Sequence, residues 1–371
     1  MDEDTPNSNA DQIAGTIHPR LNSCLYGHSK PMNNFLKAFN SGTMHHAWLI
    51  CGQRGVGKAT FCWHVIKYIM ISKDDVVEQS LSLTDINSDQ IDKIHALTNP
   101  RVYLCRRSYD EKLKRFKKFI SVDDIRGLKS YFSMAETEGN WKIALVDSAD
   151  ELNNAASNAL LKLLEEPPKK VLFLLIAHQP SKLLDTIRSR CRLLRLMPLH
   201  SEDWKQALKL SNVSTDNLSE DEKEILNIMS EGSVGYAIQI INNNGLKIYN
   251  YCVTIISTYP CLDRSKIYHL LKFNADGSAT LHFITSTILF CINRLAKLLI
   301  NPEHIFITND EKLVIEKLNR INNASYLLAV LHQEITLTFD QAHSLNLDLK
   351  QQILSSFLKL EEKLKTHDTN R

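Results

Sequence analysis

No two of the eight cysteines form a C-x-x-C pair. They are scattered at positions 24, 51, 62, 105, 191, 252, 261 and 291. That spacing supports neither a zinc site nor a disulfide framework, so free thiols in a reducing cytoplasm are expected. A run of about 18 apolar residues is also missing, which argues against a membrane span. The longest apolar stretches, such as 171–177, have the length of a strand. Charge of one sign is lacking too: 44 Lys and Arg against 42 Asp and Glu leave a net +2. No global field therefore draws the chain onto DNA or a membrane, and any nucleic-acid contact has to come from a local patch or from partner subunits. The start, MDEDTPNSNADQ, has neither the basic region nor the apolar core of a secretory signal. Repeats and low-complexity segments are absent. What remains is a 371-residue chain, 43% hydrophobic and 23% charged, with the composition of a soluble protein and the length of two or three domains.

Along the chain, residues 1–19 read as a disordered terminus, too polar to bury. A helix with Phe35, Leu36 and Phe39 on its apolar stripe is expected over 27–41, then a strand at 47–51, a glycine-rich turn and a helix over 58–71. Residues 73–99 are polar, with a weak helical signal at 88–97. Further strands are expected at 101–105, 142–146, 171–177 and 193–196. The third of these is apolar throughout, as in a strand buried on both faces. Ser121 and Asp124 have capping-box spacing, and Asn153 or Asn154 can cap a helix that stops before Pro167-Pro168. Strands alternating with helices predict a parallel α/β sheet up to about residue 198. Beyond 202 the helical period dominates. Ile284, Ile288, Cys291, Ile292 and Leu295 form one apolar stripe, Ile353, Phe357, Leu358 and Leu360 another, and 322–340 is expected to hold a buried helix.

Gly52-Gln-Arg-Gly-Val-Gly-Lys58-Ala-Thr60 nearly matches the phosphate loop G-x-x-x-x-G-K-[ST]. Gly52, Gly55 and Gly57 let backbone N–H groups turn toward phosphate oxygens, the following helix presents its positive end, and Lys58 adds a point charge. The strand before and the helix after supply the required context. One position fails. Ala59 stands where Ser or Thr would offer magnesium a hydroxyl, and Thr60 is about 100° further round the helix, a poor substitute. Magnesium positioning is therefore expected to be impaired, while nucleotide binding can survive, with ATP and magnesium as weakly held ligands. Asp147, just after an apolar strand, resembles a Walker B carboxylate that holds magnesium through water. A structural role competes with that reading. The glutamate that activates water in AAA+ ATPases is replaced by Ser148. Asp150 and Glu151 read more simply as acids at a helix start.

Residues 155–168, AASNALLKLLEEPP, are similar to the NALLK-LEEPP block of bacterial clamp-loader subunits. Ile187-Arg-Ser-Arg-Cys-Arg192 resembles their Ser-Arg-Cys motif, and the motifs occur in family order over about 140 residues. Within that family the ATP-hydrolysing gamma/tau type has Ser or Thr after the loop lysine, a Walker B Glu and four zinc-binding cysteines. This chain lacks all three. Ile120-Ser-Val-Asp-Asp-Ile-Arg126 and His45-His-Ala-Trp48 are similar to the delta-prime type, though without the zinc module that some of those carry. The resemblance implies an AAA+ fold of three parts: a P-loop parallel sheet domain at 20–198, a small helical lid at 199–243 and an all-α collar at 244–371. It also implies that Arg190 acts as an arginine finger on the ATP of a neighbouring subunit, its planar fork and permanent charge suiting developing γ-phosphate charge. Chemistry alone favours a plainer role for Arg190, pairing with a carboxylate of its own chain.

Glu231-Gly-Ser-Val-Gly-Tyr-Ala237 resembles a sensor-2 helix start with Gly235 in the arginine's place, and His178 lies near the sensor-1 position, where a loop histidine without function is the simpler reading. The basic stretch from Arg106 to Lys118 carries Tyr109 and Phe116 and is followed by Phe119. It suits either DNA phosphates or, more simply, a solvated hairpin with its aromatics packed inward. The implied role is a non-hydrolysing clamp-loader subunit in the cytoplasm. Its partners are gamma/tau and delta subunits, with the sliding clamp and primed DNA reached through the complex and no membrane or zinc involved. The alternatives are a gamma/tau-type ATPase and an unrelated AAA+ adaptor.

Overall fold

The computed structural model describes residues 10–71, 89–134, 140–215, 218–275, 277, 279–301, 306–345 and 347–368. The chain divides into two compact units, Met1–Ile238 and Gln239–Arg371. Most of the polar 73–99 segment, up to residue 88, falls outside the described residues.

The first unit opens with helix α1 (Ser29–Asn40), strand β1 (Ala47–Cys51), helix α2 (Lys58–Ile71) and a short helix α3 (Asp89–His95). Strand β2 (Val102–Arg106) leads into a hairpin of β3 (Tyr109–Asp110) and β4 (Arg115–Phe116), then helix α4 (Val122–Met134). Next come β5 (Lys142–Asp147), α5 (Asn154–Glu165), β6 (Val171–Ala177), α6 (Asp185–Ser189) and β7 (Arg192–Arg195). The five long strands form one parallel sheet in the order β2-β5-β6-β1-β7. This is the parallel α/β fold that the alternation predicts.

Residues of β6 alternate between two cores, which explains its unbroken apolarity. Leu172, Leu174 and Ile176 pack with Phe35, Phe61, Trp63 and Ile66 of α1 and α2. Phe173, Leu175 and Ala177 pack on the other face with Ile125, Leu128, Leu160 and Leu164 of α4 and α5. Both predicted caps are present. Ser121 Oγ donates to Asp124 Oδ2 at 2.6 Å before α4, and Asn153 Oδ1 accepts from Ala156 N at 2.8 Å at the start of α5. Helices α7 (Ser201–Lys209), α8 (Glu220–Ser230) and α9 (Val234–Asn242) follow. The first two belong to the same compact unit as the sheet, and the division falls after Ile238 rather than at the expected collar boundary of 244.

One expectation needs correcting. Residues 10–19, read as part of a disordered terminus, are packed. His18 is buried, and its Nε2 lies 3.2 Å from the buried carboxylate of Asp11, which also pairs with Arg106. Polarity misled because the acid that looked solvated finds partners in the folded chain, His18 and Arg106. Residues 1–9 lie outside the described residues.

The second unit is helical: α10 (Gly245–Ser257), α11 (Arg264–Ala275), α12 (Leu281–Ile300), α13 (Asn309–Leu318), α14 (Ala324–Leu345) and α15 (Leu349–Thr366). α12 lies chiefly against α14 and α10. By length and composition it is long and apolar enough to cross a membrane, yet 56% of that stretch is buried within the protein, as in a core helix. Ile284, Ile288, Cys291, Ile292 and Leu295 are all buried, as their spacing predicts. Leu358 is not: Ile353, Phe357 and Leu360 take the inner face of α15 and leave it exposed. Inside this unit the buried carboxylate of Glu311 accepts hydrogen bonds from Tyr249 Oη, from Arg294 Nε at 2.7 Å and from Ile307 N at 2.5 Å.

Candidate functional site

The turn between β1 and α2 opens onto a cleft of about 400 Å³ in the first unit. Gly55, Gly57, Lys58, Thr60 and Asp147 line it, with Ser148, Glu151 and His178 beside them. Gly52 stands at the loop's entrance, where its carbonyl accepts from Lys58 Nζ at 2.8 Å. All six predicted nucleotide-site residues are thus brought together. Gly55 and Gly57 have φ of +80° and +102°, which only glycine adopts without strain. Lys58 is buried and also donates to Gln53 O at 2.7 Å, so two of its three N–H bonds are turned onto the loop itself. Burial lowers its pKa to about 8, against the pull of Asp147 and Asp150.

The acids have separate tasks. Asp150 accepts from the backbone N–H groups of His178 (3.1 Å) and Gln179 (3.0 Å), fixing the turn after β6 rather than facing a ligand. Glu151 lies 2.8 Å from Arg107. The Asp147 carboxyl is pushed up to about 8, first by burial and then by Asp11 and Glu151, with Lys58 and Arg54 opposing. Burial, with Lys58 and Arg54 nearby, drives His178 down to about 4, so its ring is neutral at physiological pH.

The sign of the Asp147 shift makes a prediction. A carboxyl whose folded pKa is raised from 3.8 to about 8 binds its proton more tightly in the native state. Between those values the unfolded chain releases the proton first, so this group lowers stability as pH rises and ceases to do so above about 8. Asp147→Asn is expected to flatten that decline and to raise the melting temperature at pH 7 by about 2–4 °C. A variant melting below the parent at pH 7, with the slope unchanged, would show that Asp147 is charged and well compensated.

Sequence reasoning missed two features of the cleft. The first is the strap of residues 10–26. Ile13 and Asp11 line the cleft; burial raises the Asp11 pKa, but His18 and Arg106 together hold it below the usual carboxylate value. The only signal for it was an acid followed by a short apolar patch in a polar terminus. The second is how α9 closes on the loop. Gly235 N donates to Gly55 O at 2.9 Å and Ser233 Oγ to Arg54 O at 2.8 Å. A Cβ built on Gly235 would lie 2.6 Å from Gly55 Cα and 2.8 Å from Ile13 Cδ1. The position that holds an arginine in the sensor-2 pattern is therefore filled by backbone and strap.

The residues present do not fit magnesium-assisted ATP hydrolysis. Ala59 packs against the core and has no hydroxyl, Ser148 is buried and is no general base, and residue 235 has no side chain to aim at phosphate. The loop glycines, Lys58 and the start of α2 still have the arrangement of a phosphate-loop turn. Among the described residues no three His, Cys, Asp or Glu side chains converge as a metal site.

Arg190 is placed apart from the cleft's lining. It caps the end of α6, where its Nη1 donates to Thr186 O at 3.0 Å and its Nη2 lies 2.8 Å from Glu165 Oε1. Its neighbours are otherwise engaged: Arg188 pairs with Asp185, and the Arg192 guanidinium lies 4.7 Å from the Trp48 ring centroid. In the basic stretch Arg106 and Arg107 pair with Asp11 and Glu151, and Tyr109 meets Phe116 edge to face at 5.3 Å. The segment is thus a solvated hairpin with Tyr109 and Phe116 packed on each other, while Phe119 is exposed beneath Lys118.

Comparison with known proteins gives this architecture a context. The family model described as "DNA polymerase III, delta subunit" matches residues 27–200. The DNA polymerase III subunit gamma of Buchnera aphidicola (subsp. Schizaphis graminum) is 28% identical over 233 residues, 62% of this chain and 60% of that protein. The subunit delta' of Buchnera aphidicola (subsp. Acyrthosiphon pisum) is 28% identical over 247 residues, 66% of this chain and 68% of that protein. For the subunit delta' of Pseudomonas aeruginosa the values are 33% over 146 residues, 39% of this chain and 41% of that protein. The chain thus spans under two thirds of the length of the first and third of these relatives.

Proposed function

We propose, from the premise that this chain is a relative of the delta-prime subunits of bacterial DNA polymerase III, that it serves as the delta-prime-type subunit of a clamp loader. In this reading it works in the cytoplasm beside gamma/tau and delta subunits, away from any membrane, and helps place a sliding clamp on primed DNA. Residues 20–198 act as the P-loop domain, 199–243 as its lid and 244–371 as the collar that joins the subunits.

The observation that carries the reading is a disarmed nucleotide cleft in the same unit as an exposed arginine. The phosphate loop, with Gly52, Gly55, Gly57, Lys58, Thr60 and Asp147, keeps the form of an ATP site. Ala59, Ser148 and Gly235 remove the metal hydroxyl, the base and the sensor arginine. Arg190 stands outside that cleft with its side chain 37% exposed, which suits action on another subunit's nucleotide. The gamma/tau alternative requires a working cleft here. The isolated chain is accordingly expected to hydrolyse ATP no faster than a blank, and turnover that Lys58→Ala abolishes would sink the reading. The tagged chain should also co-purify with gamma/tau and delta subunits in fixed ratio. Failure to do so would favour the unrelated AAA+ adaptor.

A further inference from the structure

Glu165 is the last residue of α5, where the partial negative charge of the helix end makes a carboxylate unfavourable unless a cation answers it. The cation that answers it is Arg190, whose Nη2 lies 2.8 Å from Glu165 Oε1. Nη1 of the same guanidinium donates to Thr186 O at 3.0 Å. The two contacts hold the guanidinium from two elements, an ion pair to α5 and a hydrogen bond to α6. Other N–H bonds of the guanidinium remain available, on a side chain that is 37% exposed. Both partners are substantially solvated, Glu165 at 43%, so the pair contributes little to the fold. Its effect is to fix one rotamer of a long and otherwise mobile side chain.

We infer that Glu165 is a positioning residue for Arg190: it holds the guanidinium in the attitude in which its free N–H bonds meet a phosphate presented by a neighbouring subunit. This rests on the finger reading of Arg190. A freely rotating arginine would lose conformational freedom at the moment the phosphate charge develops, whereas a tethered one has lost most of it beforehand. The acceptor need not be charged. An amide oxygen at the same place, 2.8 Å from Nη2, can accept a hydrogen bond where the carboxylate makes an ion pair, so Glu165→Gln should do most of what Glu165 does, and Glu165→Ala should not.

The test uses the assembled clamp loader with clamp and primed DNA, ATP being the probe. Hydrolysis is followed under single-turnover conditions, where a slowed site appears as its own phase. Glu165→Ala should lower the rate of that phase roughly three- to tenfold and leave the half-saturating ATP concentration unchanged. Glu165→Gln should recover most of the rate. In an Arg190→Ala background Glu165→Ala should have no further effect, because a positioning residue acts only through what it positions. A wild-type rate for Glu165→Ala beside an impaired Arg190→Ala overturns this inference and spares the finger. So does a further loss in the double variant, or failure of glutamine to rescue. A wild-type rate for Arg190→Ala itself overturns both. Melting temperatures equal to the parent's are expected for all these variants, since the pair is exposed.

Discussion

On the proposed reading, Arg190→Ala should leave the chain folded and the clamp-loader complex assembled, while ATP hydrolysis and clamp loading by that complex fall. The folding half of this expectation comes from exposure. The bond to Glu165 joins two side chains that are each more than a third exposed, and such pairs contribute between nothing and about 1 kcal/mol even before screening by salt is allowed for. The catalytic half comes from charge. A guanidinium aimed at a γ-phosphate stabilises charge that grows in the transition state, and fingers of this kind are worth about 10³–10⁵ in rate at the site they serve. Only one of several sites would be affected, so the loss summed over the complex is smaller. Arg190→Lys should also be impaired, because a point charge lacks the planar fork. Arg195→Ala, on the neighbouring strand β7, is the control with little expected effect. Clamp loading at the wild-type rate by an intact Arg190→Ala complex removes the proposed role. Loss of folding or assembly returns Arg190 to a purely structural pairing.

Glu311→Ala should be the most damaging single change to the helical unit. The carboxylate is fully buried and accepts from Tyr249 Oη, Arg294 Nε and Ile307 N. Truncation strips the mostly buried Arg294 of its carboxylate and leaves the tyrosine hydroxyl and a backbone N–H without the acceptor they now use. Removing one partner of a buried charge pair costs about 3–5 kcal/mol. Urea unfolding of the whole chain would show this as an early transition of the helical unit. Glu311→Gln keeps acceptor oxygen for the neutral donors and should lose less. A loss under about 1 kcal/mol for the alanine variant, the range of an unremarkable surface change, would mean that water replaces the carboxylate without penalty.

The parallel sheet was legible because its signals are local. An apolar run such as Val171–Ala177 has the length of a strand buried on both faces, and the caps at Ser121 and Asn153 announce their helices. The phosphate loop was legible for the same reason, since its glycines, lysine and following helix are contiguous. Contacts between distant positions were not. Asp11 looked like part of a solvated acidic terminus because its partners, His18 and Arg106, are 7 and 95 residues away. The close approach of Gly235 to Gly55 gives no local sign either: a glycine in a helix's first turn reads as a missing side chain rather than a contact surface. The family resemblance drew attention to position 235, but only the structure shows that backbone and strap fill the space. For Arg190 the sequence offered two readings, and the pairing with Glu165 explains why both were reasonable: the arginine has a carboxylate partner of its own and still presents free N–H bonds to solvent.

The contact between Gly235 and Gly55 also bears on how this chain can evolve. A cleft short only of a hydroxyl at 59 and a glutamate at 148 would need two substitutions to match the ATPase pattern. Here a third position, 235, is also built over. Any side chain at 235 would drive its first carbon to within 2.6 Å of the Gly55 backbone and 2.8 Å of Ile13. An arginine cannot return until the strap withdraws and the turn of α9 backs away from the loop, and each of those steps costs packing before it brings any activity. Reversion would have to cross a valley of less stable intermediates. On the proposed reading the cleft is kept from hydrolysing ATP by packing as well as by missing groups, and a search for ATPase-active variants among single and double substitutions is expected to find none.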